Sequence, residues 1–143
     1  MYSLRIKVVV PVPNEAETLQ PMLKRCFETL KDLESEIIVV DGYSTDGSPD
    51  IARRAGATVI YEKGHGYGAA YLTGFEHALK KDKDAVVVMI DGDLTYLPED
   101  IPKVVEPIIR GEADLVIGNR FEHLDKGAIT SLNRIGNRFL TWL

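Results

Sequence analysis

The chain has 143 residues, enough for one domain with a substantial core, and its 45% hydrophobic content excludes a disordered chain. A net charge of −5 argues against a general nucleic-acid coat protein. One cysteine, Cys26, excludes an intramolecular disulfide framework and a cysteine zinc cluster, and no apolar run approaches the roughly 20 residues that cross a bilayer. Residues 4–10, rich in Ile and Val, predict a first strand that Pro11 and Pro13 end. Leu19, Met22, Leu23, Cys26, Phe27 and Leu30 recur at i, i+3, i+4 spacing and predict an amphipathic helix. Residues 36–40 read as a second strand, apolar throughout as buried parallel strands are. Ser48 as N-cap and Pro49 at the first helical position open a short helix that closes at Gly56, and residues 57–61 form a third strand.

A glycine-rich turn, Gly64-His65-Gly66-Tyr67-Gly68, leads into a helix carrying Tyr71, Phe75, Ala78 and Leu79. Residues 85–90 are the most apolar run and predict a fourth strand in mid-sheet. Pro98 opens a helix with Ile101, Val104, Val105, Ile108 and Ile109 on one face. Residues 113–117 predict a fifth strand, residues 119–126 a loop, and Ile129, Leu132, Ile135, Phe139 and Leu140 a last helix. Alternating strands and helices imply an α/β fold, a mostly parallel Rossmann-like sheet with helices on both faces. Ligands in such folds bind beyond the carboxyl ends of the strands. That rule gathers Asn14-Glu15, Asp41-Gly42, the glycine turn, Asp91-Gly92-Asp93 and Asn119-Arg120 along one rim.

Asp91 and Asp93 leave an apolar strand two residues apart, and buried carboxylates are costly unless paired or metal-bound. Oxygen donors suit Mg²⁺ or Mn²⁺, and few protein ligands leave room for a diphosphate. An ordinary Asp-Gly turn explains the same residues about as well when they stand alone. Asp41 suits an Asx turn or a hydrogen bond to a ribose or base. Asn14 and Glu15 suit helix capping. Gly66 and Gly68 let backbone amides approach an anion, although the spacing is neither a P-loop nor Gly-x-Gly-x-x-Gly. His65 reads as a rim residue and His77 as part of a solvated helix face. Arg120 follows a strand end and suits a phosphate, whereas Arg134 and Arg138 lie four apart, as on one exposed helix face.

Six segments in order resemble the family 2 glycosyltransferases of the GT-A fold: residues 9–15, 39–47, 66–70, 89–94, 97–99 and 117–121. The branch they resemble is that of the dolichol-phosphate and polyprenyl-phosphate mannosyl- and glucosyltransferases. The resemblance implies a nucleotide pocket lined by Pro11, Glu15 and Asp41, with Gly66 and Gly68 close to the nucleotide or its sugar. It implies that Asp91 and Asp93 hold Mg²⁺ or Mn²⁺ on the donor diphosphate, and that Arg120 and Arg134 meet an acceptor phosphate. The implied reaction moves a hexose from a UDP- or GDP-sugar to a polyprenyl phosphate with inversion, with Asp91, Asp93 and Arg120 as its catalytic residues. Three departures stand out: Pro13 stands where the family often has Tyr or another large residue, Thr95 stands where the mannosyl branch often has Gln, and Leu143 ends the sequence before the family's acceptor-shaping region. Residues 1–143 are therefore expected to be a GT-A catalytic domain truncated at its C-terminus.

Two other readings compete. The chain could be a nucleotide-sugar-binding module that needs further segments or a partner for turnover. Asp91-Gly92-Asp93-Leu94-Thr95 also fits the nucleophile motif of haloacid-dehalogenase-like phosphatases, but that chemistry needs a later acidic pair, and the roughly 48 residues after Thr95 include no convincing one at a strand end. The N-terminus lacks a signal-peptide apolar region, so the expected location is cytoplasmic, and Phe139, Trp142 and Leu143 suit either a membrane-facing helix or plain core packing. No nucleic-acid partner is expected.

Overall fold

The computed structural model describes residues 5–119. Four parallel strands form one sheet: β1 (Ile6–Val12), β2 (Ser35–Asp41), β3 (Thr58–Tyr61) and β4 (Val86–Met89), in the order β3-β2-β1-β4. Helices α1 (Ala16–Leu30), α2 (Ser48–Ala55), α3 (Tyr67–Lys81) and α4 (Ile101–Ile109) connect or follow them, with a short 3₁₀ turn at Pro98–Asp100 before α4.

The period-2 alternation of β1 sorts its side chains onto two cores. Ile6, Val8, Val10 and Val12 face α1, α2 and α4, where Leu19, Met22, Leu23, Cys26 and Val105 complete the larger cluster. Val9, with Ile38 and Val40 of β2, faces α3 and packs on Ala70, Tyr71 and Ala78. A Cβ at Gly74 of α3 would collide with Val9 and lie 3.1 Å from Val40, so glycine lets this helix settle onto the strands.

Three expectations need correction. Pro11 does not end β1, which continues through it to Val12. Val12 accepts from Gly42 on the β2 side and Val9 accepts from Ile90 on the β4 side, so Pro11 faces β4. The β1–β4 ladder stops at Val9 and Met89, so an N–H at Pro11 would have no ladder partner to lose. The fourth strand is not in mid-sheet: among the described residues β4 pairs only with β1, and β1 is central. Residues 113–117 form no strand, because they meet no ladder partner among the described residues, and Leu115 and Ile117 stay 76% and 82% exposed.

Candidate active site at the carboxyl rim

The loops after β1 and β2 interlock at the rim. Asn14 adopts a left-handed φ of 55° and accepts a hydrogen bond from Thr45 N at 2.8 Å, while its own N–H donates to Ser44 Oγ at 2.9 Å. The N-cap of α1 is Glu15 rather than Asn14. Its N–H donates to Ser48 Oγ at 3.1 Å, and the next amide, of Ala16, donates to Asp46 Oδ2 at 2.8 Å. The second loop thus caps the first helix from a distance, and the Glu15 side chain takes no part in capping. Ser48 itself is the first residue of α2, with Gly47 as the N-cap. Hydrogen bonds from Ser48 and the Ala16 amide hold Asp46 below the usual carboxylate range.

Three non-glycine residues in the described chain have positive φ: Asn14, Tyr43 and Leu94. All sit in loops at the carboxyl ends of β1, β2 and β4, where strained backbone often accompanies a functional site.

Asp41 is fully buried at the end of β2. Oδ2 accepts from Ser44 N at 2.9 Å, the Asx-type contact its sequence allows, while buried Oδ1 has no partner among the described residues. Glu15 presents a second such atom, since Oε2 is buried without a partner and lies where a Cβ at Gly92 would stand. Burial, then the charges of Asp93, Asp91 and Asp46, push the Glu15 carboxyl up to about 7. Thr18 Oγ1 donates to the Gly92 carbonyl at 3.1 Å and ties α1 to the acidic turn.

Asp93 accepts from Thr95 N at 2.9 Å, and the Thr95 side chain and amide hold it below the usual carboxylate range. Asp91 Oδ1 accepts from Tyr67 and Tyr71 hydroxyls, each at 2.9 Å. Burial, then the contacts with Tyr67 and Asp91, hold the Tyr71 phenol above its ordinary range, so it serves as a donor. Neither tyrosine stood out in sequence as a partner for Asp91, because the pairing depends on how α3 crosses the sheet.

Gly66 caps α3 with φ 97°, and a Cβ at Gly66 or Gly68 would meet nothing within 4 Å. That turn is open space beside the acids rather than a packing requirement. His65 is a rim residue, its side chain 96% exposed. His77 corrects its expected solvated position: Nε2 is buried without a partner among the described residues, in a cleft with Ile60, Lys63 and Thr73.

Glu15, Asp41, Asp91, Asp93, Gly66 and Gly68 therefore share the rim, and Pro11 lies buried one residue before the carboxyl end of β1. Arg120 and Arg134 lie outside the described residues. Glu15, Asp91 and Asp93 are a hard-oxygen donor set with one buried oxygen unmet. Among the described residues they do not close into a cage of three or more metal-binding side chains. Such a set fits Mg²⁺ or Mn²⁺, which share their coordination with water and phosphate oxygens.

The model of glycosyl transferase family 2 matches residues 7–142, and the chain belongs to that family. Glycosyltransferase AglJ of Haloferax volcanii is 37% identical over 137 residues, covering 93% of this chain and 42% of that protein. The dolichol-phosphate mannosyltransferase of Pyrococcus furiosus is 32% identical over 123 residues, covering 82% of this chain and 34% of that protein. A crystal structure of glucosyl-3-phosphoglycerate synthase from Mycobacterium tuberculosis, with Mn²⁺, UDP and glucosyl-3-phosphoglycerate, superposes with a TM-score of 0.62 at 29% identity. The superposition covers 76% of this chain and 41% of that one. The fold is thus GT-A, and the chain spans less than half the length of each of these relatives.

Proposed function

We propose that this family 2 glycosyltransferase moves a hexose from a UDP- or GDP-linked donor to a polyprenyl phosphate, at the cytoplasmic face of a membrane. The observation that carries the reading is the convergence of Asp91, Asp93 and the unmet Glu15 oxygen at the end of β4. The lipid acceptor is supported by likeness to the dolichol-phosphate mannosyltransferase, and the donor by likeness to an enzyme crystallised with UDP and Mn²⁺. Among the described residues no helix is long and apolar enough to cross a membrane.

On this reading Asp91 and Asp93 hold a divalent cation, with Glu15 beside them. The cation supplies charge stabilisation for the leaving diphosphate. Asp41 accepts from the ribose or base through Oδ1, and the backbone of Gly66 and Gly68 lies against the nucleotide or its sugar. Arg120 and Arg134 hold the acceptor phosphate, which is anionic near neutral pH and needs little help from a general base.

A second reading is a donor-binding module that needs further segments or a partner for turnover, since a fold does not by itself fix function. Calorimetric titration of the chain with UDP, GDP and their glucose and mannose conjugates, in Mn²⁺ and in EDTA, tests the donor site. Metal-dependent binding of one nucleotide is expected. Equal binding in EDTA would remove the metal role, and no binding at all would remove the donor site. Adding a polyprenyl phosphate then separates the two readings, because glycolipid product forms only on the first.

A further inference from the structure

Tyr67 and Tyr71 lie four residues apart, one helical turn, so their side chains share a face of α3. Their rings meet edge to face, 4.9 Å between centroids at 78°, and both hydroxyls converge on the same oxygen, Asp91 Oδ1, each at 2.9 Å. Tyr71 is 5% exposed and packs among Val9, Ile38, Val40 and Ala78, with Phe75 6.0 Å away, so its hydroxyl has little freedom to swing. The need of a buried phenol for an acceptor explains that one bond. It does not explain Tyr67, which is 62% exposed and could donate to water. Two phenols on one carboxylate oxygen restrain its rotation, and no protein donor meets Oδ2 among the described residues.

We propose that Tyr67 and Tyr71 are positioning residues that grip Asp91 by one oxygen and leave the other for the cation and diphosphate of the donor. This rests on the reading of Asp91 as a cation-holding carboxylate. Tyr67 directly follows Gly66, so the grip also ties the glycine turn to the acidic turn. A ligand in contact with both turns would find their spacing already set. Partners that orient a metal-binding carboxylate typically account for about 10- to 100-fold in metal affinity or activity.

The test is calorimetric titration of Mn²⁺ into the full chain with UDP, and with GDP, for wild type, Tyr67→Phe, Tyr71→Phe, the double variant and Asp91→Asn. Urea unfolding runs alongside. Tyr67→Phe is expected to weaken Mn²⁺ about tenfold with unchanged stability, because its hydroxyl is outside the core. Tyr71→Phe should do the same with some loss of stability, and the double variant should lose more than either. Mn²⁺ affinities within twofold of wild type for Tyr67→Phe and Tyr71→Phe, with binding lost in Asp91→Asn, would overturn the grip and leave the carboxylate reading standing. Wild type without Mn²⁺-dependent binding, or Asp91→Asn binding like wild type, would overturn both.

Discussion

At the amino-terminal end of the sheet, Lys7 is buried with its ammonium 2.6 Å from Glu36 Oε2, and Thr58 Oγ1 donates to the other oxygen at 2.9 Å. At the carboxyl-terminal end, Glu15 Oε2 and Asp41 Oδ1 are buried without partners among the described residues. The same β1 and β2 strands link both ends, so differences in burial alone do not account for the contrast. Burial by itself would push Glu36 up, yet the hydrogen bonds from Lys7 and Thr58 outweigh it and hold that carboxyl low. At the other end burial and neighbouring acids act together and raise Glu15. Folding satisfies its own charges at the first end. Among the described residues it leaves acceptors unmet at the second, where a ligand that brings positive charge and donors would be stabilised.

The largest effect should come from removing charge at the open end. Asp91→Asn keeps an oxygen for the two phenols and lifts repulsion from Glu15, so stability to urea should hold or rise slightly. Mn²⁺-dependent nucleotide binding should fall by about 100-fold or more, roughly 2.8 kcal/mol. A loss of stability as large as the loss of binding would mean that Asp91 belongs to the closed, structural kind of charge. The next largest effect lies at the closed end. Lys7→Ala strands the Glu36 carboxylate, and breaking a buried pair this way costs about 3–5 kcal/mol when both partners are fully buried. Glu36 is 24% exposed in its side chain, so about 2–3 kcal/mol is expected in urea unfolding, with nucleotide binding unchanged. A cost below about 0.5 kcal/mol would show that water already serves Glu36, as at an exposed pair.

The hydrophobic core was the more legible part of the molecule. The spacing of Leu19, Met22, Leu23 and Cys26, and the apolar run of β2, translate directly into buried faces. The rim was legible too, because strand ends in a parallel sheet share one edge, and Asp41, Asp91 and Asp93 are found there. Contacts decided by three-dimensional crossing were not legible. Asp46 and Ser48 cap α1 across about thirty residues of sequence, and Tyr67 and Tyr71 meet Asp91 across the packing of α3 on the sheet, where Gly74 lets the helix lie close to Val9. Sequence alone ends β1 at Pro11, whereas a proline's effect on a strand depends on which neighbour its missing N–H would face. Residues 113–117 have strand-like composition, but composition does not supply a partner edge.

The smallest effect is the sharpest test of the contrast, because it asks whether Glu15 is strained by its surroundings. Its carboxyl sits near 7 in the fold against an ordinary value of 4.5. A raised acid favours the folded state fully below the unfolded value, and that advantage fades as pH rises from about 4.5 to about 7. Glu15→Gln keeps the neutral form at every pH. The variant should therefore match wild type in urea unfolding near pH 4 and exceed it at pH 8, by about 1 kcal/mol once partial exposure is allowed for. Mn²⁺ with nucleotide should close part of that gap in wild type at pH 8, because a cation relieves the repulsion from Asp93 and Asp91. A gap that is equal at both pH values would place the Glu15 carboxylate in water and return the rim to the same balanced condition as the Lys7–Glu36 end.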